Sequence, residues 1–312
     1  MSAPGALRPR LYLVLAAALF STAGAALKAI RFDTWQVASF RAALAAVAVL
    51  ALVPSARRGL RAATGDRRTL PVLAGAAAVY AITGFMFVAA NKATTAASTI
   101  FLQSTSPLYI AVLGHWLLHE RVRRADAVFM LVLAGGLGLL LAGTPPPART
   151  APHPLLGNVL AALCGLTVAL TVVLLRGLGR GGDGGRAAAA VVLGNLLIFV
   201  SALPLAFPLP APRALDVGLL LWLGLFQIGA AYALMLAGLR RVPALEASLI
   251  MMVEPVLSPL WAWLVHGEAA GPWVLAGGAV ILATSLVQQA WSRQRGGAAA
   301  PAVPVQAPPA PS

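Results

Sequence analysis

Acidic side chains are scarce in this chain. Its 312 residues hold nine Asp and Glu against 23 Lys and Arg, and charged residues of all kinds make up only 10%. A soluble domain carries about 25% charged residues and could not solvate a surface so poor in them. Cysteine is scarcer still. Cys164 stands alone inside an apolar run, so no intrachain disulfide can form, and thiol content says nothing about the redox compartment. No nucleophile–base pair, glycine-rich phosphate loop or ATP-binding domain can be picked out. No catalysis and no cofactor are therefore expected, and any active transport is expected to run on an ion or exchange gradient. The net charge of +14 does not point to nucleic acid, because the basic residues sit between apolar runs rather than in one patch with interleaved aromatics.

What fills the chain instead is apolar residue, 60% of the total, in recurring runs. Runs of roughly 20 residues are long enough to cross about 30 Å of hydrocarbon as helices. Ten spans are expected, at 11–30, 34–53, 70–90, 94–117, 125–143, 155–176, 187–207, 215–238, 244–265 and 271–291. The first has the outline of a signal peptide, with Arg8 and Arg10 before it and small residues after it. It is nearly a full span, however, and the repeat described below needs it as a permanent helix. Residues 296–312 are almost all Ala, Pro, Gly and Val and read as a disordered tail.

Ten spans put both chain ends on one side. With those ends inside, the inner segments hold 17 Lys and Arg and the outer ends five, with Arg41 inside a span. That bias places both termini in the cytoplasm. Arginine outnumbers lysine 21 to 2 and alanine is abundant, which hints at a GC-rich bacterium, so the expected location is the inner (plasma) membrane.

The two halves echo each other. In TSPLYIAVLGHWLLHE (105–120) and VEPVLSPLWAWLVHGE (253–268), Pro107 precedes Glu120 by thirteen residues, as Pro255 precedes Glu268. The offset of 148 also relates Lys28 to Arg176. Five spans per copy is an odd number, so the copies cross the membrane in opposite senses, an arrangement common in transporters with a substrate site near the midplane. The expected organisation is a cytoplasmic N-terminus (1–10), a first five-helix repeat (11–143), a periplasmic linker (144–154), a second repeat (155–291) and a cytoplasmic tail (292–312).

Ten helices in two halves, an EP…GE pattern from Glu254 and Pro255 to Gly267 and Glu268, the pair Phe40-Arg41, and NKATTAASTIFLQSTSPLY around Pro107 together resemble the drug/metabolite transporter superfamily, specifically its EamA-type members. The resemblance covers roughly residues 11–291, with His119-Glu120 standing where the first copy usually ends in Gly-Glu. It implies an all-α membrane protein of two inverted five-helix repeats. It also implies export of an amino acid, another small metabolite or a drug-like molecule, and leaves the substrate open.

Polar residues within the spans are the candidates for function, since a charge at the bilayer centre costs about 2.5–3.5 kcal/mol. In span 9, Glu246, Glu254 and Trp261 share about a third of the helix circumference. Span 4 presents Thr95, Thr99 and Gln103 on one face, and span 3 presents Tyr80, Thr83, Phe87 and Asn91. If spans 4 and 9 face each other, Glu254, Gln103, Tyr80, Asn91, Thr99, Trp261 and Glu246 line one substrate or proton pathway. The carboxylates would take a cationic or amine group and the aromatics an apolar part. Plainer readings stand beside this. Ser and Thr often bond their own i−4 carbonyl, and Glu246 can pair with nearby arginines. Arg41 can snorkel, pair with Asp33 or reach the cavity, and a structural role is favoured for it and for Asn195. Pro107 and Pro255 read as hinges, because a proline removes a helical hydrogen bond. His115, His119 and Glu120 outline a weak metal face that reads as interfacial packing. The Gly135-Gly136 and Gly277-Gly278 pairs read as close helix contacts. The expected partners are a small-molecule substrate and membrane lipid, with a homodimer left open. A membrane sensor or scaffold, or a lipid-carrier flippase, is the alternative.

Overall fold

The computed structural model describes residues 7–64, 69–110, 124–179, 184–239 and 241–296. Their helices are α1 (Leu7–Ser21), α2 (Ala23–Ala29), α3 (Thr34–Leu52), α4 (Pro54–Thr64), α5 (Leu70–Ala93), α6 (Ala96–Gln103), α7 (Arg124–Ala142), α8 (Pro154–Gly179) and α9 (Gly185–Ala202). Then come α10 (Ala214–Leu221), a π-helical stretch (Trp222–Ala230), α11 (Ala231–Leu239), α12 (Ala244–Met251), α13 (Val253–His266) and α14 (Pro272–Gly296). No strand occurs among the described residues. Seven of these stretches are long and apolar enough to span a bilayer, and two shorter apolar helices, Ala127–Ala142 and Pro272–Gln288, fall where the fifth and tenth spans were expected. The expected fourth span starts in α6 and runs past residue 110, so its far half, with His115, His119 and Glu120, lies outside the described residues. Most of the tail (297–312) does too, although α14 continues five residues beyond its expected end at 291.

Several spans are broken, and the sequence explains where. Pro107 and Pro255 cannot donate to the carbonyl four residues back. The chain turns at Ser104 and Thr105, with Thr105 N–H reaching only to the Leu102 carbonyl (3.2 Å), before helix resumes at Ser106. It turns again at Met252, whose N–H reaches the Leu249 carbonyl (3.2 Å). Ser104 and Met252 are 148 residues apart, so the two breaks follow the same offset as the two prolines. Span 8 was expected to be one continuous helix. Its middle widens into the π stretch, where Gly224 and Gly229 lie so close to α3 that added Cβ atoms would meet Leu44 and Ala48 at 2.3 Å.

Packing mixes the two halves. From the first half, α3 lies against α9 and the π stretch, and α5 against α8 and α9. Helix α6 contacts α13, as the pairing of spans 4 and 9 requires. Polarity is arranged inside out. Leu131, Leu155 and Val200 point outward, while Arg41, Asn91, Asn158, Asn195 and Gln227 are buried. Lipid tails solvate the first group and other helices must satisfy the second. The glycine pairs behave unevenly. A Cβ on Gly277 would lie 2.7 Å from the Gly136 carbonyl oxygen, and one on Gly278 would lie 2.5 Å from Phe101. Among the described residues nothing lies within 4 Å of a Cβ added at Gly135 or Gly138.

The face opposite the N-terminus is tied by one buried ion pair. Lys28, at the end of α2, meets Glu268 at 3.1 Å with both side chains almost wholly buried. Lys28 also donates to the carbonyls of Asn91 (3.0 Å), Thr94 (2.7 Å) and Thr150. Glu268 accepts the Ala96 N–H (2.7 Å) at the start of α6. Gly267 makes this geometry possible, because it ends α13 at φ +66°, a left-handed conformation open to glycine. His266 Nε2 adds a contact to the Ala25 carbonyl (2.8 Å). Nearby, the buried Asp216 accepts the Arg31 and Arg213 N–H groups (3.0 and 3.1 Å) and the Arg213 guanidinium (2.7 Å). That hydrogen bonding raises the Arg213 pKa above its ordinary value.

Two variants test this packing. Gly277→Val is expected to lose about 2 kcal/mol of stability by overpacking against α7, whereas Gly135→Val leaves it unchanged. Denaturation of the purified protein in detergent checks both, and equal losses would refute the assigned contact. Glu268→Leu leaves Lys28 buried without a counter-charge and is expected to cost about 3 kcal/mol, part of which Lys28→Met in the same chain restores. The same denaturation assay reads this, and a single variant as stable as the parent would show that the pair contributes nothing.

Candidate functional site

A cavity of about 560 Å³ lies between the halves. Its walls come from α3 (Arg41), α5 (Tyr80, Thr83, Phe87), α6 (Gln103), α8 (Thr171), α9 (Asn195), the π stretch (Gln227), α11 (Tyr232) and α13 (Glu254). Its lining extends to Gly184, in the connection between α8 and α9, and to Leu236, so it reaches towards the N-terminal face. That is the face where Arg10 pairs with Glu246 and Leu13 packs on Gly238.

Polar groups form an arc across the cavity. The Arg41 guanidinium donates through Nη2 to Gln227 Oε1 (3.0 Å) and sits over the Phe87 ring, 5.7 Å from its centre. Asn195 donates to the Tyr80 hydroxyl (3.3 Å), and Tyr232 lines the cavity with Tyr80. Glu254, in the first turn of α13, lies within electrostatic reach of Tyr232. Among the described residues it has no cation at ion-pair distance. Thr83 and Thr171 meet at 3.2 Å across the seam between α5 and α8. The rest of the lining is apolar, including Phe20, Val49, Val168 and Ile198. Chemically, the site offers an apolar body, one carboxyl, one guanidinium and several neutral hydrogen-bonding groups. Among the described residues no group of three or more His, Cys, Asp or Glu could hold a metal ion.

Of the seven residues placed on the pathway from sequence, the structure brings Glu254, Gln103 and Tyr80 together in this cavity, with Thr83 and Phe87 from the same span 3 face beside Tyr80. The others lie elsewhere. Thr99 is fully buried and bonds the Thr95 carbonyl (3.0 Å), the plain i−4 arrangement. Asn91 bonds the Phe87 carbonyl (2.9 Å) and lines a separate polar cavity of about 600 Å³ with Lys28, Lys92, Arg149 and His266. Trp261 donates to Ser21 Oγ (2.9 Å), fastening α13 to the break between α1 and α2. Glu246 pairs with Arg10. Pro107 and the buried Pro255 sit just past their helix breaks, and neither lines the cavity.

Four lining residues were read as structural or passed over. Arg41 does not pair with Asp33, which instead caps α3 by accepting the Gln36 N–H (2.9 Å). Asn195 donates to the Val191 carbonyl of its own helix (2.9 Å) and, across the seam with α5, to the Tyr80 hydroxyl (3.3 Å). Gln227 and Tyr232 in span 8 were passed over, because no stripe of polar residues marks a face there. The π stretch moves Gln227 around the helix axis relative to an ideal α-helix, so 100° periodicity could not have found it.

Three comparisons bear on what this arrangement belongs to. A curated relative, the "Uncharacterized transporter YetK" of Bacillus subtilis (strain 168), is 27% identical over 182 residues, which is 56% of this chain and 54% of that protein. The chain thus matches about half the length of that relative. A crystal structure of a protein named only as such aligns with TM-score 0.60 and 21% identity, covering 92% of this chain and 98% of that one, which speaks to the fold alone. The sequence model of the EamA-like transporter family matches twice, at residues 8–142 and 155–287, and so finds two repeats. With several apolar helices and both repeats matched over most of its length, the chain is a multi-pass membrane protein that belongs to the EamA-like transporter family.

Proposed function

We propose that this protein is a secondary transporter that exports a small metabolite, an amino acid or a drug-like molecule across the inner membrane by alternating access. One observation carries the reading. A mostly apolar cavity with a lone carboxyl, Glu254, reaches towards the N-terminal face, while the Lys28–Glu268 pair ties the other face together. This is the asymmetry of a carrier open to one side. The 17 to 5 excess of Lys and Arg makes the N-terminal face cytoplasmic, so the cavity takes its substrate from inside. The paired breaks before Pro107 and Pro255 are the hinges at which α6 and α13 re-aim, and the Lys28–Glu268 pair must part for release.

In this reading Glu254 binds either a proton or the cationic group of a substrate, because a carboxylate among apolar walls needs one or the other. The test is flux into proteoliposomes from about pH 5.5 to about pH 8, wild type against Glu254→Gln. The variant is expected to lose at least about tenfold in rate and to lose the wild-type response to an imposed pH gradient. Identical rates and pH profiles would remove Glu254 from the pathway. A wild type with no flux of any candidate substrate would favour a membrane sensor or scaffold instead.

A further inference from the structure

The second charge in the cavity has no counterpart. Arg41 is 7% exposed, and no carboxylate stands at ion-pair distance from it among the described residues. A guanidinium carries five N–H donors. Here Nη2 meets the neutral Gln227, and Nε is buried without an acceptor. The stack on Phe87 orients the plane but supplies no anion. At 7% exposure the guanidinium has lost most of its hydration, a cost that a bound anion offsets. The carboxylates of Asp33 and Asp216 are engaged elsewhere, Asp33 at the cap of α3 and Asp216 with Arg213 and Arg31. Arg41 nevertheless lines the cavity, with a pre-oriented fork of donors.

We propose that Arg41 is the anion-binding residue of this cavity, and that the transported molecule carries a carboxylate that docks on Arg41 as well as a cationic group that docks on Glu254. This rests on the reading of the cavity as the substrate pathway and adds to it a charge requirement. Gln227, from the π stretch, is a positioning residue that holds the guanidinium plane. A carboxylate meeting Nε and an Nη in parallel gains a charge-assisted, two-point contact that an amine or neutral ligand cannot make. The apolar lining takes the body of the molecule.

A matched set of probes tests this: norleucine, pentylamine (which lacks the carboxylate) and hexanoate (which lacks the amine). Binding of each to the purified full-length protein is measured by titration calorimetry, alongside proteoliposome uptake of the same three. Wild type is expected to bind norleucine at least about tenfold more tightly than pentylamine. Arg41→Gln is expected to abolish that preference by weakening norleucine and not pentylamine, whereas Glu254→Gln abolishes the preference for norleucine over hexanoate. Arg41→Lys, which keeps the charge but not the fork, retains part of the carboxylate preference and serves if the glutamine variant does not fold. Equal binding of norleucine and pentylamine by wild type would overturn the proposal. So would an Arg41 variant that weakens both ligands alike, the mark of a structural guanidinium, or no binding of any probe. Uptake of pentylamine without preference for norleucine would sink this proposal and leave the transport reading standing.

Discussion

Hydrocarbon cannot hydrogen-bond, and that constraint orders everything else in this molecule. Each polar group that the spans carry must be answered by another part of the chain. The answers come in two kinds. Thr99, Thr83 and Asn91 turn back on their own helices and bond the i−4 carbonyl. Lys28, Asn158, Gln36 and Asp216 instead reach across to other segments: Asn158, for example, joins Thr94 (2.7 Å) and Thr144 (2.9 Å). The first kind keeps a helix soluble in lipid. The second fixes how helices distant in sequence sit together, because a misplaced partner would strand a buried charge or amide.

Against that background the exceptions gain meaning. Arg41 Nε and Gln103 Oε1 are buried without partners, and both residues face the cavity, as does Glu254. On the opposite face Lys28 is bound by three carbonyls and a carboxylate. Among the described residues Ser285 Oγ and Glu268 Oε2 also lack hydrogen bonds, but Glu268 has Lys28 as its ion-pair partner, whereas Arg41 and Gln103 face the cavity. In the proposed transport cycle the tied face holds one conformation, and the cargo would meet the unmet groups at the core.

Hydropathy made the spans legible, because a run long enough to cross a bilayer needs no tertiary context to be recognised. Helical periodicity likewise placed Glu254, Gln103 and Tyr80 on inward faces, where an intact or gently broken α-helix keeps the 100° spacing valid. It misled for Trp261 and Glu246, which share the arc of Glu254. A shared arc says nothing about which neighbour lies opposite at each depth, and near one end of the span that neighbour is Arg10, while deeper it is Ser21. Arg41 was unreadable for a related reason. Its partner Gln227 is 186 residues away on a π stretch whose register no α-helical projection gives. The glycine pairs show the same limit, since Gly136 and Gly135 are neighbours in sequence and only one of them meets a helix.

The central claim is that a cavity between the halves is exposed at the N-terminal face and shut at the other by Lys28 and Glu268. Site-directed labelling tests it most directly. With the buried Cys164 replaced by Ala, a single cysteine at Thr171 on the cavity wall reports which side an impermeant maleimide can reach. The account predicts labelling from the N-terminal face alone in oriented vesicles, with access from the opposite face appearing when Glu268→Leu is added. Equal labelling from both faces in the parent, or labelling from the opposite face alone, would contradict it.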